Sequence, residues 1–329
     1  MKSILLIRYS ALGDVVLATS VVGPLREKYP AAQIEWVTDH AYAGLLEGVV
    51  DRVIPFSRKD AASRAAVLQD VKGRFDLAID LQNKLWSLRV ARVAAPKRLR
   101  FVRRTALQAL SSLVGRDVIL DELPATELYA RAAQLDRSGR IQVNVSPLAA
   151  ARAKQLLPAG DWVAVAPGAA WETKRWPASR LAEVAAALRA DGHRIALVGG
   201  PMDGELLDVM RAGCKPDVDL SAESLPVLAA ALTRVRLLIG NDSGLVHVAT
   251  AVGKPALAIF GPTSMKRWGP RPPGAAVSLN LACSPCSNHG SRTCPLGHHD
   301  CMQKLDAATI LAKARQLISL APQGGRGPG

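Results

Sequence analysis

Short apolar runs alternate with segments of helical periodicity along almost the whole chain. In the first half, the predicted strands are the runs SILLIRY, QIEWVTD, RVIPF and LAIDLQ. The first and last of them are almost continuously apolar, which is typical of parallel strands buried on both faces of a sheet. The segment from about Val15 to Lys28 has apolar residues at helical spacing and predicts a helix that ends before Pro30.

The same alternation starts again in the second half, with the runs WVAVAPG, RIALVGG, RLLIGND and PALAIFG. A helix is predicted from about Ala178 to Ala190, because Pro177 precedes it and Gly192 follows it. Two successive arrays of strands and helices predict an α/β protein with two doubly wound sheets. Ligands of such sheets bind beyond the carboxyl ends of the strands, so two sheets facing each other would form a ligand cleft.

The domain boundary is expected where this alternation is interrupted. The stretch NVSPLAAARAKQLLPAGD has two prolines and no strand pattern, which predicts a first domain over residues 1–155 and a second over 156–305. The last residues, 321–329, read APQGGRGPG. They have nothing to bury, and we predict that they are disordered.

The composition indicates a globular protein with an anionic partner. Of 329 residues, 49% are hydrophobic and 21% are charged, and 42 Lys and Arg against 28 Asp and Glu give a net charge of +14. Such a surplus suggests binding to nucleic acid, an anionic membrane surface or a phosphorylated ligand. Aromatic residues make up only 4%, which argues against single-stranded nucleic acid, because its bases stack on exposed rings.

The N-terminal segment has some features of a secretory signal, because Lys2 precedes the apolar run SILLI. Arg8 and Asp14 interrupt the apolar region too early for a signal, so we expect a cytoplasmic protein. No apolar run of the sequence is long enough to span a bilayer. Five cysteines, four of them between Cys283 and Cys301, fit a reducing compartment better than a disulfide framework.

Asp14 is an acidic residue in the otherwise largely apolar stretch IRYSALGDVVLATSVVG. It follows the first predicted strand, at the end of the sheet where ligands bind. One interpretation is an acid that interacts favourably with the positive end of a helix dipole. The other is a general base that takes a proton from an acceptor hydroxyl, with Gly13 allowing a close approach to the ligand.

Two motifs of the second half suit a phosphorylated ligand. In PGAAWETKRWP, Lys174 precedes a predicted helix, where an ammonium group can anchor a diphosphate; a solvated loop lysine is the alternative. In IGNDSGLVHVATAVGKP, Asp242 or Ser243 caps a helix, and Gly244 leaves its first backbone N–H groups open to phosphate. His247 shares a face with Ser243 near the helix start and is either a ligand contact or a core histidine.

A third motif, VGGPMDGELLDVM, follows another strand of the second half. Gly199 and Gly200 allow close approach of the backbone, while Asp203 and Glu205 can accept hydrogen bonds from a ribose diol. Surface acids at the start of a helix are the competing interpretation.

Between Leu81 and Arg116 the chain has no acidic residue. The basic residues of this segment are Lys84, Arg89, Arg92, Lys97, Arg98, Arg100, Arg103, Arg104 and Arg116. So one-sided a run predicts contact with phosphates or with an anionic membrane, each basic residue contributing about 1 kcal/mol near such a surface. A solvated face is the alternative.

The thiol-rich stretch CSPCSNHGSRTCPLGHHDC allows several states. Its four cysteines are Cys283, Cys286, Cys294 and Cys301. A structural zinc site is chemically reasonable, but the later spacing does not match the common paired pattern. Conditional disulfides or an ordered thiol-rich loop are the alternatives that we favour, and we expect no bound metal.

The motifs SALGDVV, TKRWP, GGPMD, NDSGLVHVATA and PALAIFGPT occur in the order found in the ADP-heptose:lipopolysaccharide heptosyltransferases, glycosyltransferase family 9. The chain resembles that family over nearly its whole length. The stretch CSPC...CPLGHHDCM is similar to that of members of the heptosyltransferase II type. The resemblance implies a GT-B fold: two doubly wound, Rossmann-like domains facing across a cleft, with a C-terminal helix over residues 306–320 that packs back on the first domain.

The resemblance also implies roles for individual residues. Asp14 would be the catalytic base that activates the acceptor in the first domain. The residues implied to bind ADP-heptose are Lys174, Asp203, Asp242, Ser243, Gly244 and His247. The basic residues assigned to the acceptor are Lys84, Arg98, Arg100 and Arg103. Ala169 and Ala170 replace hydroxyl side chains that are frequent in the family, which removes a side-chain contact to phosphate.

The resulting hypothesis is an inverting transfer of heptose from ADP-heptose to the inner core of lipopolysaccharide, on a lipid A–Kdo acceptor with or without one heptose already attached. The partners are then ADP-heptose, the inner-core acceptor and the anionic inner membrane surface, contacted peripherally from the cytoplasm, and not nucleic acid. No cofactor is expected, and the triplet Asp217–Val218–Asp219 is interpreted as incidental rather than as a metal-binding D-x-D. The alternatives are a GT-B transferase with another nucleotide sugar and acceptor, or a basic nucleic-acid-binding protein.

Overall fold

The computed structural model describes residues 1–101 and 123–320. The described residues form two compact units, one of residues 1–101 and 123–146 and the other of residues 147–320. The division falls earlier than the predicted boundary between 155 and 156. The reason is that the helix Pro147–Leu156 packs on the helix Leu225–Leu232 of the second unit and buries Ala149 and Ala153.

The first unit contains a parallel sheet. Its strands are β1 (Ser3–Ile7), β2 (Gln33–Asp39), β3 (Arg52–Phe56), β4 (Leu77–Asp80) and β5 (Lys97–Arg100). Within the described residues their order is β3-β2-β1-β4-β5, and every neighbouring pair is parallel. The central strand β1 is fully buried from Ile4 to Ile7, as its apolar run predicts.

Helices connect these strands. They are α1 (Leu12–Ala18), α2 (Val22–Lys28), α3 (His40–Ala43), α4 (Ala61–Val71), α5 (Leu85–Ala94) and α6 (Ala125–Ala132). The single helix predicted over 15–28 is therefore wrong, because a 3-10 turn at Thr19–Val21 separates α1 from α2. Pro24 lacks the N–H that would bond the carbonyl of Ser20 in one continuous helix. That carbonyl accepts the N–H of Gly139 instead, at 2.8 Å.

The second unit repeats the arrangement. Its strands are β6 (Trp162–Ala166), β7 (Arg194–Leu197), β8 (Val218–Asp219), β9 (Val235–Asn241), β10 (Ala256–Ile259) and β11 (Ala275–Val277). Their order among the described residues is β11-β10-β9-β6-β7-β8, again with parallel neighbours. Both sheets therefore have the doubly wound topology that the alternating pattern predicts.

The helices of the second unit are α7 (Pro147–Leu156), α8 (Ala178–Ala190), α9 (Gly204–Cys214), α10 (Leu225–Leu232), α11 (Gly244–Ala251), α12 (Met265–Trp268), α13 (Asp300–Gln303) and α14 (Ala307–Leu320). The bounds of α8 are those predicted. Its buried face packs on the central strands, together with the side chains of α9 and α14.

The resemblance implies that the C-terminal helix α14 packs back on the first domain, and this stays a prediction. Its buried residues Ile310 and Ala314 belong to the core of the second unit, against α8, β9 and β10. The indole N–H of Trp176 also donates to the carbonyl of Leu305, just before the helix, at 3.1 Å. The apolar side of α14 is thus used within the second unit. The predicted disordered tail, 321–329, lies outside the described residues.

Candidate active site

Asp14 lies in the first turn of α1, the helix that follows the carboxyl end of β1 after a short loop. The next four residues of the helix are buried and hold α1 against the sheet, while the side chain of Asp14 remains 16% exposed. Its Oδ2 atom is 3.4 Å from the backbone N–H of Ala11, which precedes the helix. The carboxylate is therefore at the sheet edge where ligands of doubly wound folds bind.

Among the described residues, the side chains of Arg8 and Tyr129 both contact the Asp14 carboxylate. The Nη2 atom of Arg8 is 2.6 Å from Oδ2, and the hydroxyl of Tyr129, on α6, donates to Oδ1 at 2.6 Å. Arg8 and Tyr129 are both buried. Neither was predicted as a site residue. For Arg8, the available signal was its position directly after an apolar predicted strand.

The charge of Arg8 is stabilised by its surroundings. Burial acts to lower the pKa of Arg8, but the opposing charges of Tyr129 and Asp14 outweigh it, so the pKa is raised above its ordinary value. A second guanidinium nitrogen, Nη1, donates to the carbonyl of Leu81 at 2.6 Å. Arg8 thus connects Asp14 to the segment that follows β4.

Asp80 is a second acidic residue at the strand ends of the first unit, and it is fully buried at the end of β4. Its carboxylate accepts the backbone N–H groups of Gln82 and Asn83 and the hydroxyl of Ser87, at 2.9–3.0 Å. Burial raises the pKa of Asp80, and these hydrogen bonds oppose the rise. Such a carboxylate fixes the turn after β4 and is a structural group rather than a candidate base.

An aromatic cluster lies beside these residues. The rings of Phe56 and Trp86 stack with centroids 4.3 Å apart, and Tyr9 meets Phe56 edge-on at 5.3 Å. The Nε1 atom of Trp86 is buried and has no hydrogen-bond partner among the residues that the structure describes. The low aromatic content gave no reason to expect this cluster.

The basic residues assigned to the acceptor are solvent-exposed where they are described. Lys84 precedes α5, and Arg98 and Arg100 are on the outermost strand β5. Because Arg98 and Arg100 are two residues apart, their side chains leave the same face of the strand. Arg103 lies outside the described residues.

In the second unit, the Nζ atom of Lys174 is 2.7 Å from the Oδ2 atom of Asp242. Lys174 ends a 3-10 turn, Glu172–Lys174, that follows β6, and Asp242 directly follows β9. These strands are hydrogen-bonded neighbours, so their carboxyl ends bring the two residues together. The side chains are only 13% and 6% exposed, which makes this a largely buried ion pair.

Two residues that sequence reasoning missed complete this corner of the second unit. The hydroxyl of Thr263, after β10, donates to the Oδ2 atom of Asp242 at 2.6 Å. Asn241 accepts the N–H of Trp176 at 3.0 Å and donates to the carbonyl of Pro167 at 2.7 Å. Asn241 thereby ties the end of β9 to both sides of the loop that carries Lys174.

The helix α11 begins beside this ion pair. Ser243 precedes its first residue, Gly244, in extended conformation. The hydroxyl oxygen of Ser243 is buried, makes no capping bond and has no hydrogen-bond partner within residues 1–101 and 123–320. His247 is one turn further along and buried. An unpaired hydroxyl and the free N–H groups of a helix start are suited to a phosphate oxygen.

Asp203 ends the 3-10 turn Pro201–Asp203, which follows β7. Its Oδ2 atom accepts the N–H of Gly200 at 2.9 Å. The carboxylate also lies directly on Gly168, where an added Cβ would overlap it. The second unit therefore brings together Lys174, Asp242, Ser243, Gly244 and His247, with Asp203 at the ends of the adjacent strands.

Within the described part of the chain, none of the cysteines of the thiol-rich stretch forms a disulfide. Burial raises the pKa of Cys301 to about 11, and the neighbouring thiols of Cys286, Cys294 and Cys283 act in the same direction. Within the described residues, no three His, Cys, Asp or Glu side chains are grouped as metal ligands. Asp217 and Asp219 pair instead with Arg189 and Arg211.

Among the described residues, none of the helices combines the length and apolar character that crossing a bilayer requires.

The chain is similar to known proteins over most of its length. Residues 64–298, more than half of the chain, match the model of glycosyltransferase family 9 (heptosyltransferase). The lipooligosaccharide heptosyltransferase 2 of Campylobacter jejuni is 24% identical over 317 residues, which cover 93% of this chain and 95% of that protein.

Two solved structures are similar over almost the whole chain. A family 9 glycosyltransferase from Veillonella parvula has a TM-score of 0.79 and 21% identity, covering 97% of this chain and 98% of that one. The E. coli ADP-heptose lps heptosyltransferase II has a TM-score of 0.76 and 23% identity, covering 97% and 99%. The predicted GT-B fold class is confirmed by this likeness together with the two parallel sheets.

Proposed function

The chain belongs to glycosyltransferase family 9, the heptosyltransferase family, and we propose that it transfers a heptose from ADP-heptose to the inner core of lipopolysaccharide. The observation that carries the proposal is the Asp14 carboxylate, held at the carboxyl end of β1 by Arg8 and Tyr129. Similarity to the Campylobacter and E. coli heptosyltransferases supports the choice of donor and of acceptor class.

In the proposed reaction, Asp14 acts on the acceptor. A hydroxyl oxygen of the acceptor bonds to the anomeric carbon of the heptose while its proton passes to the Asp14 carboxylate. The bond from the anomeric carbon to the diphosphate oxygen breaks, and ADP leaves with the bonding electrons. Attack from the face opposite the diphosphate inverts the anomeric centre.

The departing diphosphate needs its charge stabilised rather than a proton. Lys174 supplies a cation, and the start of α11 supplies backbone N–H groups and the hydroxyl of Ser243. The ion pair with Asp242 keeps the ammonium group oriented before ADP-heptose binds. His247 and Asp203 complete the nucleotide-sugar site in this proposal, the latter through the ribose diol.

The acceptor carries negative charge, and exposed basic residues of the first unit suit it. Lys84, Arg98 and Arg100 would bind its phosphate or carboxylate groups, together with Arg103. The same surface would bring the protein to the anionic inner membrane from the cytoplasm as a peripheral protein. We propose the second heptose addition as the step, because the thiol-rich stretch resembles that of heptosyltransferases of type II.

A turnover assay tests the function. ADP release is measured with ADP-heptose and lipopolysaccharide acceptors truncated to lipid A–Kdo, to one heptose and to two heptoses. We expect release with the one-heptose acceptor, and much slower release when a UDP- or GDP-linked sugar replaces the donor. Preference for another nucleotide sugar would contradict the donor assignment, while preference for lipid A–Kdo would move the reaction to the first heptose.

A further inference from the structure

We infer that the segment of residues 284–291, within the thiol-rich stretch, is a positioning element for Lys174, acting through Gly290 and Ser291. The inference rests on the proposed function in one respect, since Lys174 is there the cation for the diphosphate. It assigns a role to a stretch of sequence whose purpose the motifs left open.

The first observation is the contact between Gly290 and the stem of Lys174. Gly290 has a φ of +90°, and a Cβ added to it would lie 2.8 Å from Cδ and 2.9 Å from Cγ of Lys174. The same Cβ would lie 2.9 Å from Cβ of Trp171. The backbone of the segment therefore lies directly on the methylene groups of Lys174, with no room for a side chain between them.

The second observation is a set of hydrogen bonds to the residue before Lys174. The N–H and the hydroxyl of Thr173 both donate to the carbonyl of Ser291, at 3.2 and 2.8 Å. The N–H of Ser291 donates back to the Thr173 hydroxyl oxygen at 2.9 Å. Thr173 is buried, and the Nε2 atom of His299 is 2.8 Å from its carbonyl oxygen. The turn that carries Lys174 is thus attached to residues more than a hundred positions away.

The third observation is how the segment itself is anchored. The N–H groups of Cys286 and Ser287 both donate to the carbonyl of Pro262 at 2.9 Å. The next residue, Thr263, is the one whose hydroxyl donates to Asp242. The segment consequently contacts the chain on both sides of the ion pair, next to Lys174 and next to the hydroxyl that orients Asp242.

These contacts have a consequence for ligand binding. A lysine ammonium is a point charge on a flexible stem, and holding it in one place costs side-chain entropy. A stem already confined between Gly290 and its own turn has lost that freedom before the diphosphate arrives. The segment should therefore raise the affinity for groups that Lys174 contacts, and leave the affinity for the nucleoside unchanged.

The test compares two glycine substitutions. Gly290→Ala places a methyl group against Lys174, whereas Gly297→Ala does so at a glycine with a similar φ of +76° and nothing within 4 Å of the added Cβ. Both variants carry the strain of a positive φ, so only the first one also displaces the lysine. Binding of ADP and of adenosine to the full chain is measured by calorimetry.

We expect Gly290→Ala to weaken ADP binding about tenfold and to leave adenosine affinity within about twofold of that of the unsubstituted chain. Gly297→Ala should leave both affinities within about twofold. In a Lys174→Ala background, Gly290→Ala should have no further effect on ADP. Equal losses for ADP and adenosine, or an undiminished loss in the Lys174→Ala background, would overturn the inference.

A second pair of variants keeps the test decisive where Gly290→Ala does not fold. Thr173→Val removes the hydroxyl that bonds Ser291, and Thr173→Ser retains it. We expect the valine variant to lose ADP affinity selectively and the serine variant to keep it; equal affinities would contradict the inference. If Lys174→Ala itself left ADP affinity unchanged, the proposed role of Lys174 would fail. If Lys174→Ala weakened ADP binding but Gly290→Ala did not, only the positioning role of the segment would fail.

Discussion

Replacing Lys174 with methionine removes one partner of the buried ion pair and keeps most of the stem. The ammonium nitrogen is 2.7 Å from Asp242, and Asp242 is then left with the hydroxyl of Thr263 as its side-chain donor. The matched variant Asp242→Asn removes the opposite charge and retains an oxygen for that hydroxyl. The double variant removes both charges at once.

The expected magnitude follows from the geometry. Two unit charges 2.7 Å apart attract by about 6 kcal/mol at an effective dielectric constant of about 20. Desolvation of both groups offsets much of this, and removing one partner of a buried pair costs about 3–5 kcal/mol. We expect Lys174→Met near the lower end, about 3 kcal/mol, since its side chain is 13% exposed. Asp242→Asn should also cost about 3 kcal/mol, because the confined ammonium group of Lys174 then lacks its counter-charge.

Urea unfolding of the two single variants and the double variant measures the coupling. Each transition is fitted separately, because two units need not unfold together. The double variant should lose about 2 kcal/mol less than the sum of the single losses. The control is Lys154→Met, the same substitution at an exposed position of α7, which should change the stability by less than about 0.5 kcal/mol. Additive single losses would refute the ion pair and the orientation of Lys174 that depends on it.

Three further predictions concern the first unit. Tyr129→Phe removes the hydroxyl that donates to Asp14. We expect a free energy of unfolding in urea about 1 kcal/mol lower and a lower kcat, with ADP affinity unchanged. An unchanged kcat would count against a role of Tyr129 in orienting Asp14. Burial raises the pKa of Asp80, so the contribution of its protonation to stability is present below the unfolded pKa near 3.9 and is lost as pH rises through the folded pKa. Asp80→Asn should therefore flatten the dependence of the free energy of unfolding in urea on pH in that acidic range. An unaltered pH dependence would contradict the effect of burial. The double variant Arg98→Glu, Arg100→Glu reverses two exposed charges. It should raise KM for the acceptor at low salt and make that KM less dependent on salt, with KM for ADP-heptose unchanged. Equal changes in KM for both substrates would argue against an acceptor surface.

The sequence was sufficient to predict features that depend on one element and its neighbours. The apolar runs predicted the strands other than β5, β8 and β11, which have no long apolar run, and the bounds of α8 follow from Pro177 and Gly192. Lys174 lies in the loop after β6 and Asp242 follows β9, so the pairing of these two parallel strands places both residues at one edge of the sheet, although their ion pair was not predicted. For such residues, a strand pattern and the topology of the fold are enough.

Features that depend on packing between distant segments could not be predicted in this way. Tyr129 reaches Asp14 from a helix 115 positions away, and nothing in its own surroundings marks it. The break between α1 and α2 required knowing that Gly139 takes the carbonyl of Ser20. The packing of α14 on the second unit depends on which apolar surface is uncovered there, and amphipathic spacing alone does not specify that surface.

The role of Asp14 is tested most directly by ADP release from Asp14→Asn, with ADP-heptose and the preferred acceptor both present. Asparagine retains an oxygen for the hydroxyl of Tyr129 but is a far weaker base. Thermal unfolding shows whether the variant stays folded without the charge partner of Arg8, and ADP binding shows whether the nucleotide site is intact. We predict that ADP release falls at least 100-fold with ADP affinity within about twofold of the original. Near-normal ADP release from a folded Asp14→Asn variant would contradict the assignment of Asp14 as the base.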